Sequence, residues 1–264
     1  MTPVLLLGAG RMGGALLDGW RRTGAVAAAD LVIADPSPGP EALAAAREGA
    51  RLRPADPEIS SAQTVVLAVK PQLWRAIATA YAQRLAPDAV LLSIVAGAPA
   101  SAVSAGFGGR RTARVMPTTA VAVAKGAAAI FSDDPEACRR AHALFDPVAT
   151  TADLSSEALM NGATAVAGSA PAYLYAFLEA LEAAGVSQGL PPDAARTLAR
   201  ATIVGAAALL AETGAEPSQL RAQVTSPGGT TEAALKVLLS ERGLEPLLRE
   251  AVAAAVRRAE ELGG

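Results

Sequence analysis

One hexapeptide limits the fold of this chain more than any other feature. It is Gly8–Gly13, GAGRMG, set between an apolar run, Val4–Leu7, and a pattern in which Met12, Leu16, Leu17 and Trp20 recur at helical spacing. The three glycines of such a turn have separate uses. Gly8 permits the tight reversal, Gly10 lets a ligand come up against the backbone, and Gly13 lets the helix lie close on the strand. The helix starts with unpaired amides and a partial positive charge, which suits a pyrophosphate. Gly8, Ala9, Gly10, Arg11, Met12 and Gly13 are therefore candidate contacts for a dinucleotide. A glycine turn that holds no ligand is the plainer alternative.

The alternation continues to about residue 153. LVIAD, TVVLAV, AVLLSIVAG, TARVM, GAAAIF and PVATT read as strands, and PEALAAAREG, QLWRAIATAYAQRL, a short segment near Ser101–Ala105 and the stretch 134–144 read as helices. Runs that are apolar throughout predict a parallel sheet covered on both faces, an α/β doubly wound Rossmann-type domain over residues 1–153. Ligands of such sheets bind beyond the carboxyl ends of the strands. Asp35 ends the second strand about twenty residues past the glycines, where a carboxylate bonds the ribose 2′-hydroxyl and favours NADH. Ser37 lies two residues on and suits the 2′-phosphate of NADPH, so the choice between NADPH and NADH stays open. Ala68, Val69, Lys70 and Pro71 end the next strand, and Ala96 and Gly97 follow the one after; these are further candidate cofactor contacts, with Lys70 on the nicotinamide ribose or simply in water. VMPTT, residues 115–119, closes the pocket.

From Leu154 the strands stop, and residues 154–264 read as a helical domain. Ala158–Leu178 and ATIVGAAALLA, residues 201–211, carry no charge. The first holds Asn161, Gly162, Thr164, Gly168, Ser169 and Pro171, which favours a helix buried in protein over a membrane span. A helix apolar on every side must be covered on every side, so two of them predict a homodimer through the C-terminal helices; a buried monomeric core is the alternative. Within this half TSPGGTTEAAL, residues 225–235, puts two glycines and two threonines after a proline, a composition suited to presenting bare backbone and two hydroxyls to a small ligand.

Net charge is −2, which argues against nucleic acid or an anionic membrane as the partner. The single cysteine, Cys138, makes no intrachain disulfide and no cysteine-rich metal site, and no metal is expected. His142, the one histidine, reads as an ordinary helix residue with no catalytic partner in view. The N-terminus lacks the pattern of a signal peptide, and a cytoplasmic location is expected.

GAGRMGGALLDGW, AVKPQ, SIVAGAP, RVMPTT, GSAPAYLYAFLEAL and SPGGTTEAALKVLLSERGLEPLLREAV follow one another in the order and spacing of the pyrroline-5-carboxylate reductases, and the chain resembles that family over essentially its whole length. SPGGTT is the most specific piece. The resemblance implies reduction of the cyclic imine Δ1-pyrroline-5-carboxylate to L-proline with NADPH or NADH, the last step of proline biosynthesis. It implies a Rossmann domain joined to an all-α dimerisation domain, and in some members larger rings of dimers. It also places the substrate carboxylate on the N–H groups of Gly228, Gly229, Thr230 and Thr231, aims the Thr231 hydroxyl at the ring nitrogen as the catalytic group, and puts Met116 and Pro117 beside the substrate. A plain helix cap by Thr230 is the alternative for that turn.

Three departures stand out. Thr118-Thr119-Ala120 replaces the Asn-Thr-Pro usual after Met-Pro, GSAPAY replaces Gly-Ser-Gly-Pro-Ala-Tyr, and Arg11 replaces Asn, where it can reach a cofactor phosphate. Two other functions compete: reduction of a related cyclic imine, and a nucleotide-binding module that no longer catalyses. A β-hydroxyacid dehydrogenase is disfavoured, because SSEALMNGATAVAGSAPAYLY contains no lysine.

Overall fold

The structure, a computed structural model, describes residues 1–263. The first part of the chain runs β1 (Val4–Leu7), α1 (Arg11–Thr23), β2 (Leu31–Ala34), α2 (Pro40–Arg47), β3 (Arg51–Leu52), α3 (Asp56–Ser60), β4 (Thr64–Leu67) and α4 (Trp74–Tyr81). It continues with β5 (Val90–Ser93), α5 (Ala100–Gly106), β6 (Thr112–Pro117), β7 (Gly126–Phe131), α6 (Pro135–Phe145) and β8 (Ala149–Asp153). These strands form one eight-stranded sheet in the order β3-β2-β1-β4-β5-β6-β7-β8. The chain leaves β1 toward one edge, returns, and extends to the other, which is the doubly wound Rossmann topology. The sequence predicts a wholly parallel sheet; β7 instead runs antiparallel to β6, pairing Val115 with Ile130 and Met116 with Ala129. A short 3₁₀ turn, Thr119–Val123, joins them without the long crossover that parallel neighbours need. The two-residue β3 and the one-and-a-half-turn α3 are too short to carry a periodic signal.

Strand pleating divides the core. Val4 and Leu6 pack on one face with Leu16, Leu17, Trp20, Ile33, Val66 and Phe145; Leu5 and Leu7 pack on the other with Val65, Leu67, Trp74, Leu91 and Phe107. Each such side chain contributes about 1.5–3 kcal/mol relative to leaving it in water. The indole of Trp20, fully buried, donates to the Leu144 carbonyl at 2.8 Å, which satisfies its one polar atom.

One compact unit comprises residues 1–168 with residues 255–263. It therefore extends past the boundary at 153 expected from the end of the strands. Met160, fully buried, packs with Met116, Ala129 and Phe131. Glu157 accepts the Ala100 amide at 2.7 Å and pairs with Arg114, itself only 5% exposed, at 3.1 Å. These contacts tie the segment after β8 to the sheet. It comprises a 3₁₀ turn (Glu157–Leu159), α7 (Met160–Ala163) and a π-helical turn (Thr164–Gly168). The long helix expected from residue 154 onward is thus interrupted before Pro171.

The second unit, Ser169–Ala254, contains α8 (Ala170–Ser187), α9 (Pro192–Thr213), α10 (Pro217–Gln223), α11 (Thr230–Leu238) and most of α12 (Leu244–Gly263). Helices α8 and α9 pack as a pair, with Gly185 against Ala195 and an Arg200–Glu182 ion pair at 2.9 Å. Yet α8 buries no residue and α9 only Ala195 and Ala199, while Leu174, Tyr175, Leu198 and Val204 are 57–69% exposed. Helix α9 is also long and apolar enough to cross a membrane by length and composition.

Helix α1 approaches the 3₁₀ turn after β6 at Gly19. A Cβ there would lie 2.3 Å from the Val121 carbonyl oxygen and 3.0 Å from Val148 Cγ1, and backbone cannot yield as a side chain can. Gly19→Ala is expected to cost about 1–3 kcal/mol, read as a lower urea midpoint at unchanged slope.

Candidate active site

The turn after β1 is held from three sides. The Gly8 amide donates to the Ala34 carbonyl at 3.0 Å, the Ala68 amide to the Leu7 carbonyl at 2.8 Å, and the Ala9 amide to Asp35 Oδ2 at 2.6 Å. Gly8 sits at φ +93°, and a Cβ on it would fall 2.7 Å from the Ala68 carbonyl oxygen. Gly13 lies closer still, its missing Cβ 2.2 Å from the Gly8 carbonyl oxygen. Gly10 differs: among the described residues nothing lies within 4 Å of where its Cβ would stand. The amides of Arg11, Met12 and Gly13, in the first turn of α1, have no hydrogen-bond partner among the described residues. A packed turn, one glycine facing open space, and free amides at a helix start fit a dinucleotide pyrophosphate.

Asp35 has a role that its position in the sequence does not reveal. Besides the Ala9 amide, its other oxygen, Oδ1, accepts the Ser37 amide at 2.7 Å. Both carboxylate oxygens thus brace the loop, and a ribose hydroxyl would be an additional donor to a group already engaged. Lys70 is exposed and begins the 3₁₀ turn Pro71–Leu73; Ala68 and Val69 before it are half-buried. Ala96 is exposed and Gly97 takes φ +74°. All lie just beyond the carboxyl ends of β4 and β5, the edge of the sheet where β1 delivers Gly8–Gly13.

Met116 and Pro117, expected beside the substrate, are buried; Met116 is 8% exposed, within the cluster that holds Met160. Thr118, the first departure from the family pattern, is also buried, and its hydroxyl accepts the Ala127 amide at 3.0 Å while its own amide donates to the Ala127 carbonyl. That residue pins the β6–β7 connection.

In the helical unit, SPGGTT forms the turn into α11. Gly229 is the N-cap and no side chain among the described residues caps the helix, so the plain cap by Thr230 is not what the structure contains. Gly228 takes φ +72°, a conformation that favours glycine. Its amide donates to Glu232 Oε2 at 2.7 Å, and the Gly229 amide donates to the Ser226 carbonyl at 3.0 Å. Four open amides are expected from the sequence, but these two are occupied. The free ones are those of Thr230, Thr231 and Glu232, and the two threonine hydroxyls have no partner among the described residues. Glu232, which sequence reasoning passes over, is at the right offset to fold back on the turn, as acidic residues in a first helical turn do.

The strand order, the glycine turn and its free amides define a dinucleotide-dependent oxidoreductase carrying a separate helical unit. A family model described as "NADP oxidoreductase coenzyme F420-dependent" matches residues 3–97, and one described as "Pyrroline-5-carboxylate reductase dimerisation" matches residues 157–262. The pyrroline-5-carboxylate reductase of Pseudomonas aeruginosa is 36% identical over 99% of this chain and 97% of its own length. A solved pyrroline-5-carboxylate reductase structure from Coxiella burnetii superposes with a TM-score of 0.91 at 30% identity, covering 100% of this chain and 99% of that one. The Plasmodium falciparum pyrroline carboxylate reductase, solved with NADP bound, shares the fold at 24% identity and a TM-score of 0.84, covering 100% of this chain and 98% of that one. The chain belongs to the pyrroline-5-carboxylate reductase family.

Asp35→Ala would leave the Ala9 amide unpaired on a residue only 4% exposed. A loss of about 1–3 kcal/mol is expected from that amide alone. Dinucleotide affinity should fall with it for NADH and NADPH alike, measured by fluorescence titration; a loss for NADH only would mean that the carboxylate acts on the ribose and not on the loop.

Proposed function

We propose that this protein reduces Δ1-pyrroline-5-carboxylate to L-proline with NADPH or NADH, the substrate carboxylate being held at the start of α11. The observation that carries the reading is the set of free amides on Thr230, Thr231 and Glu232 beside two unengaged hydroxyls. A helix N-terminus binds a carboxylate without any arginine or lysine. The membership of the chain in a family whose members bear that activity in their names supports the substrate. Gly228 and Gly229 act by shape in this reading: Gly228 supplies the left-handed turn, and a side chain at Gly229 would meet Ser226 Oγ at 2.7 Å.

The bound dinucleotide supplies hydride to the imine carbon. The protein's part is position and electrostatics. Gly8, Gly10 and Gly13 shape the turn and Arg11, Met12 and Gly13 offer amides to the pyrophosphate; Ala68, Val69, Lys70, Pro71, Ala96 and Gly97 border the dinucleotide. Thr231, half-buried at the helix start, orients the ring nitrogen. A cyclic imine that arrives protonated keeps its proton as C=N becomes CH–NH, so no strong general acid is required.

Oxidation of NADPH or NADH on adding the imine, followed by absorbance, tests the reading. Thr231→Ala is expected to lower kcat/KM about 10–100-fold, the worth of a hydrogen bond to a charged group, with dinucleotide affinity unchanged. Equal turnover in the variant removes Thr231 from the chemistry. Intact dinucleotide binding with no turnover of this or any cyclic imine would leave a binding module.

The exposed apolar faces of α8 and α9 and the matched dimerisation region support a homodimer through the C-terminal helices, which in turn can assemble into rings of dimers in the cytoplasm. Val204 is 69% exposed on α9. Val204→Asp is expected to shift the mass in sedimentation toward the monomer. Unchanged mass would place the interface elsewhere.

A further inference from the structure

At the outer edge of the sheet, α6 and β8 bring the chain's one cysteine and one histidine together with two aspartates. Cys138 and His142 are four residues apart on α6 and share a face. Asp153 ends β8, which lies at the edge of the sheet beside β7. His142 Nε2 lies 2.9 Å from Asp153 Oδ1, Cys138 Sγ lies 3.9 Å from the same oxygen, and the three ligand atoms are all within 4.8 Å of one another. The other ring nitrogen, Nδ1, is 2.9 Å from Asp146 Oδ1, and that oxygen also accepts the Thr151 hydroxyl at 2.6 Å.

We propose that Cys138, His142 and Asp153 bind a zinc-type transition-metal ion, with Asp146 orienting the imidazole from behind. The donor set selects the class of ion. Magnesium and calcium take oxygen ligands, whereas a thiolate with an imidazole suits zinc. Three protein ligands and a water complete the tetrahedron of an open zinc site. Bonds of about 2.0–2.3 Å to the ion put tetrahedral ligand atoms about 3.3–3.6 Å apart. The observed spacings bracket that range, so the imidazole–Asp153 contact opens slightly and the thiol turns inward.

Asp146 gives the cluster a feature that a chance gathering lacks. A ligating histidine commonly donates its other N–H to a carboxylate, which fixes the tautomer and ring plane. Here Asp146 takes the proton on Nδ1, held in place by Thr151, and Nε2 is left to the ion. Charge balances as well. The thiolate and the Asp153 carboxylate neutralise a divalent ion, and the thiol proton, with any proton on Nε2, passes to solvent on binding. The ion would tie the edge strand to α6. In the competing state, an imidazolium bridging two carboxylates, the thiol keeps its proton as a long donor to Asp153 and no thiolate forms, and the test turns on that difference.

Cobalt(II), titrated into the reduced, tag-free protein, is the probe. One saturable equivalent per chain is expected, with a thiolate-to-cobalt charge-transfer band that zinc abolishes by displacement, and with a rise in Tm. Cys138→Ser is expected to remove the band and the Tm rise. Asp146→Asn should weaken binding about 10–100-fold with the band retained. Circular dichroism checks the fold of each variant, and His142→Gln carries the expectation of Cys138→Ser if that chain does not fold. Cobalt bound without the thiolate band, or bound equally by wild type, Cys138→Ser and His142→Gln, overturns the site.

Discussion

The carboxylate of Asp35 joins two things that a parallel sheet must keep in register: the end of β2 and the turn after β1. It receives the Ala9 amide on one oxygen and the Ser37 amide on the other. With the Gly8–Ala34 bond beside it, the turn cannot drift relative to the strands. Gly8 is then pressed onto Ala68 and Gly13 onto Gly8, at distances only glycine tolerates. Loosening that brace would cost more than one hydrogen bond, because the free amides of α1 point usefully only while the helix start is fixed. Binding sites of this kind consist of backbone, and backbone is positioned only by what it is bonded to.

The sheet was largely legible because each strand writes its own signal. VLLL is apolar throughout, TVVL and VLLS carry one small polar residue each, Thr64 and Ser93, and all three are buried at every position, as strands covered on both faces must be; glycine or proline marks where they stop. The direction of β7 was not legible, since GAAAIF pairs equally well either way and the short link from β6 decides. Nor was the break before Pro171. The uncharged run 158–178 reads as one helix, but burial of Met160 and the Arg114–Glu157 pair bind its first part to the sheet. Those contacts join positions about thirty to forty-four residues apart, and no local pattern contains them.

At the candidate site, sequence motifs locate turns better than they assign donors. GAGRMG and SPGGTT each sit where a helix begins, and a helix start supplies free amides by its geometry. Which amides remain free depends on neighbours four residues on or across the fold. Glu232 claims Gly228, and the Ser226 carbonyl claims Gly229. Met116 and Pro117 lie in a motif that suggests contact, but β6 is central enough to bury both. His142 looks solitary in sequence, because Asp153 reaches it only after β8 folds beside α6.

The bare surface of α8 and α9 bears on how the molecule comes into being. A newly made helical unit holds Leu174, Tyr175, Leu198 and Val204 in water until something covers them. In the dimeric reading that cover is a second copy, so the last step of folding is a collision between chains. Its rate then rises with their concentration, and dilute or slowly synthesised chains spend longest in the form most prone to stick to the wrong neighbour.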